Sequence, residues 1–86
     1  MTIKQELSGN IAIMLKELRK EHKYTQKYVA DILHITREAY TMYELGRSIP
    51  PIDALVTLAN LYKCSLDYIT GRYNSLSNIE KSSWRK

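Results

Sequence analysis

TQKYVADILHITREAYTMYELG, residues 25–46, is the stretch whose reading decides the fold. It divides into two short helices and a tight turn. The first helix spans about Gln26 to Leu33, the turn holds His34 and Ile35, and the second helix spans about Arg37 to Leu45. Val29 and Leu33 are spaced i,i+4, and Tyr40 and Tyr43 i,i+3, so each pair lines one face of its helix. Ala30 is small where the helices must cross closely. Thr25 and Thr36 stand at the two helix starts, where a hydroxyl accepts from an otherwise unpaired backbone N–H. Arg37, Glu38, Ala39, Thr41 and Met42 are left off the core face of the second helix.

The same signals extend outward. Ile11, Leu15 and Leu18 recur at i,i+4,i+7 and predict a helix over about Ser8 to Lys23. Ile3 and Leu7 continue that stripe backwards, but Gly9 and Asn10 argue against an unbroken helix, leaving residues 1–7 as an arm or an extra turn. Tyr24 is expected to end the first helix by packing inward. Gly46 suits a left-handed position after residue 45, and Pro51 the first turn of a fourth helix running to about Tyr62. In that helix Leu55, Leu58, Ala59 and Tyr62 form the inward face, with Asp53 near the N-terminus. Lys63 and Cys64 make a break. Ser65 then caps a fifth helix carrying Leu66, Asp67 and Ile69, which Gly71 ends. Residues 72–86 are basic and rich in Ser and Asn. Leu76, Ile79 and Trp84 are compatible with a further amphipathic turn or two, and the composition equally with a disordered tail. No sustained period-2 alternation occurs, so the fold class is all-α: five helices, one small domain over residues 8–71.

Composition excludes several function classes. The chain has 86 residues, 44% hydrophobic and 26% charged, as an ordinary globular domain does. No apolar run reaches the roughly 18 residues of a membrane helix, and the N-terminus lacks the basic start and apolar core of a secretory signal. The single cysteine, Cys64, forms no internal disulfide, and a reducing cytoplasm is the simple expectation. His22 and His34 with one cysteine make no zinc spacing, so no metal is expected. No catalytic Ser/His/Asp set, carboxylate pair or Gly-rich phosphate loop is apparent, so neither an enzyme nor a cofactor is expected. The net charge is +4, but residues 1–71 hold nine basic against eight acidic residues, and residues 72–86 four against one. Bulk charge therefore argues for no partner; local placement must.

In order and spacing, IAIMLKELR, YTQKYVADILHIT, YELGRSIP and LVTLANLYKCSLDYITG resemble the lambda/434 repressor and Cro family, the XRE-type helix-turn-helix domains, over about residues 8–71. Each piece alone is weak, and together they are specific. The resemblance implies a compact five-helix domain that binds palindromic operators as a homodimer, with its helix-turn-helix formed by helices 2 and 3. It implies that Gln26 touches a backbone phosphate and supports the recognition helix. It implies that Arg37, Glu38, Ala39 and Met42 face bases, that Arg47 contacts phosphate, and that Arg19 and Glu44 form a structural ion pair. His34 departs from the glycine usual in the family's turn, at a cost on the order of 1 kcal/mol if the residue is left-handed. Met42 replaces a commonly polar base reader, and Ile52 and Asp53 bring little positive charge to the fourth helix.

The chemistry of these residues suits that role. Arg37 can fork onto guanine O6 and N7, Glu38 can accept from cytosine N4, and Ala39 and Met42 can touch a thymine methyl, with Thr41 on the same exposed side. Gln26, Lys27, Thr36, Arg47 and Ser48 would fix register on phosphates, and the Tyr28 hydroxyl could reach one too. The bland alternatives are a solvated face for Arg37 and Glu38, plain surface for Lys27, and packing rather than base stacking for Tyr24, Tyr40, Tyr43 and Tyr62. Packing is the better account of the tyrosines, since they fall on inward positions, from which the Tyr40 and Tyr43 hydroxyls can reach the surface.

The expectation is a sequence-specific transcriptional regulator that binds double-stranded DNA in the major groove, a repressor occupying a palindromic operator as a homodimer. The alternative is an antitoxin or adaptor whose main partner is a protein, engaged through residues 72–86. A DNA-packaging role fits poorly with near-neutral charge over residues 1–71. No membrane partner is expected.

Overall fold

The computed structural model describes residues 2–72. The expectations for residues 73–86, including Leu76, Ile79 and Trp84, lie outside the described residues. Five helices follow in order: α1 Ile3–Glu21, α2 Gln26–Leu33, α3 Arg37–Glu44, α4 Ile52–Tyr62 and α5 Leu66–Ile69. Among the described residues there is no strand.

Helix α1 begins at Ile3 rather than near Ser8, and Gly9 and Asn10 do not interrupt it. The reason is a capping box that the sequence reading missed. The Thr2 hydroxyl accepts from the Gln5 N–H at 3.2 Å, and the Thr2 N–H donates to Gln5 Oε1 at 2.9 Å. An interior glycine costs roughly 0.5–1 kcal/mol, which a good cap offsets. Ile3 gains nothing from the extension in packing: it is 66% exposed.

The remaining boundaries follow local chemistry. Thr25, Thr36 and Ser65 each accept from the N–H three residues on, at 3.0 Å. Pro51 stands at the N-cap of α4, one residue outside the helix rather than in its first turn. Three of the turns that follow helices use left-handed residues other than glycine: Lys23, His34 and Lys63, with φ of 59°, 60° and 55°. After α3 the left-handed position is Gly46, with φ of 74°.

Ile11, Leu15, Val29, Tyr40, Leu58 and Ile69 are almost completely buried and bring all five helices into one core. Helix α3 packs between α1 and α2, while α5 closes against α1 and α4. Tyr43 and Tyr24 are half-buried on the rim of this core. Helix α3 has only eight residues, too few to persist alone in water. Its conformation is therefore a product of the packing on both sides.

Candidate nucleic-acid interface

The inner side of α3 is held by one carboxylate. Glu44 accepts from Arg19 Nε at 2.7 Å and Arg19 Nη2 at 3.1 Å, from the Tyr40 hydroxyl at 2.6 Å, and from Gln26 Nε2 at 3.1 Å. Arg19 also donates through Nη1 to the Tyr24 carbonyl at 3.0 Å. Glu44 thus ties α1, α2 and α3 together, and Arg19 extends the tie to the α1–α2 turn. The Glu44 and Arg19 side chains are only 4% and 13% exposed. Burial pushes the Glu44 carboxyl up, but the bonds from Arg19, Tyr40 and Gln26 outweigh it and hold the group below its ordinary value of 4.5. The bond to Glu44 raises Arg19 in turn, against the opposing effect of burial. Burial, and then the bond to Glu44, lift the Tyr40 hydroxyl far above its usual range. That hydroxyl does not reach the surface, contrary to the sequence reading; Tyr40 is fully buried, and its polar end is absorbed by the carboxylate.

Gln26 continues the network toward solvent. Its orientation is dictated by its neighbours: Nε2 must face the acceptor-only carboxylate of Glu44, so Oε1 faces outward. There it accepts from Thr41 Oγ1 at 3.1 Å and lies 3.5 Å from Arg37 Nη1. The Thr41 hydroxyl also lies 2.8 Å from the Arg37 carbonyl. It has one proton and shares it between these acceptors. Thr41 is half-buried and turned toward α2 beside Arg37, while Arg37, Glu38 and Met42 are exposed and Ala39 is half-buried. Glu38 lies in the first turn of α3, where the helix dipole favours an acid.

The flanking residues differ in their engagements. The Thr36 hydroxyl caps α3 through the Ala39 N–H. Lys27 pairs with Asp31 at 3.0 Å, on a surface where such pairs contribute little. Tyr28 is 47% exposed and its ring packs 4.6 Å from Tyr24. Arg47 and Ser48 are exposed just after α3, and the Arg47 N–H is fixed on the Met42 carbonyl at 3.0 Å. The structure therefore brings Gln26, Arg37 and Thr41 into one polar cluster and leaves Arg47 and Ser48 on the adjoining turn. Sequence periodicity could not have found the Thr41–Gln26 bond, because it depends on side-chain rotamers.

This geometry is two helices crossing through a tight turn, the second with a bare outer face. The helix-turn-helix family profile matches residues 15–69, more than half of the chain. The chain belongs to the XRE-type helix-turn-helix family. It is 49% identical over 55 residues to the HTH-type transcriptional regulator YqaE of Bacillus subtilis (strain 168), an alignment covering 64% of this chain and 47% of that protein. It is 35% identical over 74 residues to the HTH-type transcriptional regulator AnsR of the same organism, covering 81% and 64%. It is 31% identical over 80 residues to the cryptic phage CTXphi transcriptional repressor RstR of Vibrio cholerae serotype O1, covering 93% and 64%. The chain thus spans about half the length of YqaE and just under two thirds of the other two. No solved structure matches it at a significant level. Among the described residues no helix is long and apolar enough to cross a membrane, and no group of His, Cys, Asp and Glu could hold a metal ion.

Proposed function

We propose that this helix-turn-helix is a sequence-specific reader of double-stranded DNA that regulates transcription, acting as a repressor on a palindromic operator as a homodimer. The observation that carries the reading is the division of α3. Tyr40 and Glu44 are consumed by the core, while Arg37, Glu38, Ala39 and Met42 stand on a face that no other helix of the described residues covers. A helix offered in this way, with its N-terminal residues outward, suits the major groove. The names of the relatives, regulators and a repressor among them, support the same reading.

In this reading Arg37 forks onto a guanine while Gln26 steadies its other edge. Glu38 accepts from a cytosine amine, and Ala39 and Met42 meet thymine methyls. Thr41 acts through Gln26, its hydroxyl being turned toward α2. Gln26, Lys27, Tyr28, Thr36, Arg47 and Ser48 hold the backbone, and Lys27 exchanges Asp31 for a phosphate on binding. One such domain covers too little DNA for tight specific binding, which is the physical case for a dimer with recognition helices about 34 Å apart.

The test is selection from a random duplex pool by the purified chain, beside an Arg37→Ala, Glu38→Ala variant. The expected outcome is an enriched palindrome with half-sites about 10 base pairs apart, lost or altered in the variant. Salt-sensitive binding without any motif would overturn sequence reading by α3 and favour a chain whose specificity comes from a protein partner.

A further inference from the structure

The first two turns of α1 take no part in the interface described above, yet they are fastened to it. The capping box at Thr2 and Gln5 makes residues 3–9 helical. The Ser8 hydroxyl donates to the Gly46 carbonyl at 2.8 Å, spanning 38 positions of sequence. A Cβ built on Gly46 would stand 3.6 Å from the Ser8 carbonyl oxygen and 3.7 Å from Ala12 Cβ, so α1 passes the turn after α3 at van der Waals distance. Lys4, Ser8 and Ala12 share one stripe of α1 at i,i+4,i+8, and that stripe faces this turn.

Between them lies an open groove. Lys4, Gln5 and Ser8 stand on one wall and Leu45, Gly46 and Arg47 on the other. Among the described residues, two cations and no carboxylate line it. The Gln5 side-chain oxygen is occupied by the cap, and the Ser8 hydroxyl by Gly46. Among the described residues neither the Lys4 ammonium nor the Arg47 guanidinium has an ion-pair or hydrogen-bond partner, unlike Lys27 and Arg19. Among the described residues an apolar partner would find only Leu45, 56% exposed, as a large side chain here. The charge complement calls for an anion, and Arg47 sits three residues after the end of the proposed recognition helix.

We infer that Lys4 is a further backbone anchor: it grips a phosphodiester of the bound duplex beside Arg47, across the groove between the α1 extension and the turn after α3. The site rests on the DNA reading proposed above and widens it, since the footprint then reaches past α2, α3 and the turn to the start of α1. Being a contact to phosphate, it adds affinity on every sequence and no discrimination.

The experiment is a salt titration of binding to a short random-sequence duplex, between about 50 and 200 mM salt. Each phosphate neutralised adds about 0.9 to the steepness of log K against log salt. Lys4→Ala should therefore flatten the slope by about 0.9 per bound protomer, and Lys4→Glu should flatten it further. The thermal midpoint should be unchanged for Lys4→Ala, because the residue is exposed and alanine suits a helix. Arg47→Ala serves as the reference for a phosphate contact. A parent-like slope in Lys4→Ala, with the slope reduced in Arg47→Ala, would overturn the inference and leave the DNA reading standing. A parent-like slope accompanied by a fall in thermal midpoint would assign Lys4 a structural role instead. If the parent chain shows no salt-sensitive binding, the DNA reading fails and the anchor with it.

Discussion

The two sides of α3 obey different rules. On the inner side the Glu44 carboxylate takes bonds from Arg19, Tyr40 and Gln26, and the Tyr40 ring is fully buried. On the outer side Glu38 and Met42 are exposed, and Arg37 has only a 3.5 Å contact to Gln26. An eight-residue helix has little stability of its own, so the inner side supplies it. The outer side is then free to take whatever residues a target sequence demands. Gln26 and Thr41 are the joint between the sides, since they carry the order of the core out to the first exposed arginine.

The strongest way to break this comparison is Glu44→Ala. Removing one partner of a buried pair leaves Arg19 uncompensated and the Tyr40 hydroxyl without its acceptor. The expected loss is about 3–5 kcal/mol in urea unfolding, enough to unfold much of a small domain. A loss below about 1 kcal/mol would mean that solvent replaces the carboxylate easily and that α3 is held by its apolar contacts alone.

The outer side should respond the opposite way. Arg37→Ala and Glu38→Ala, singly or together, should change stability by no more than about 0.5 kcal/mol. In the DNA reading each should lower discrimination at its own base pair by about 1–3 kcal/mol. Competition binding with single-base-pair substitutions of the selected half-site measures this. A uniform loss over all sequences would make these side chains phosphate contacts and would blur the two sides.

Acid sharpens the contrast further. The folded Glu44 carboxyl titrates below its ordinary 4.5. Its contribution is therefore complete above about 4.5 and is lost as the pH falls through the folded value. In that window the unfolded chain binds the proton and the folded chain does not, so acid drives unfolding. Urea midpoints followed from about pH 6 to pH 3 should fall less steeply for Glu44→Gln than for the parent. Parallel curves would show that other carboxylates carry the acid response and that Glu44 contributes none of it.

The sequence was informative about the apolar stripes and the helix starts, because both obey short-range rules. Ile11, Leu15 and Leu18 recur at helical spacing and are buried, and Thr25, Thr36 and Ser65 cap as hydroxyls at those positions should. For residues 1–7 the apolar stripe leaves an arm or a helical extension open and Gly9 and Asn10 weigh against an unbroken helix; the capping pair Thr2 and Gln5, three residues apart, accounts for the extension that the structure has. No helix-interior glycine decides an end by itself; a Cβ on Gly9 would meet nothing within 4 Å. At the candidate interface the residue types were legible and their engagements were not. Thr41 and Arg37 share one stripe of α3, yet Thr41 is half-buried with its hydroxyl on Gln26 while Arg37 is exposed. The Ser8–Gly46 bond and the Lys4 groove join residues about forty positions apart, where periodicity carries no information.

The smallest effect belongs to a residue on neither side of α3. His34 ends α2 with φ of 60° and ψ of 41°, the left-handed region in which a side chain costs about 1–2 kcal/mol relative to glycine. Histidine is among the better tolerated residues there, and glycine brings its own entropic cost from the unfolded chain, so the strain is offset in part. The imidazole is exposed, and its backbone N–H already serves the Ala30 and Asp31 carbonyls, so glycine would forfeit no packing and no bond. His34→Gly should therefore stabilise the domain by about 0.5–1 kcal/mol, seen as a higher urea midpoint at unchanged slope. DNA affinity should not change, because the turn would be made by the same backbone. A stabilised variant with altered affinity would show that strain in the turn sets the angle between α2 and α3, and that the side chain at position 34 is part of how the outer face is aimed. An unstabilised variant would show that the imidazole contributes more in the turn than its exposure suggests.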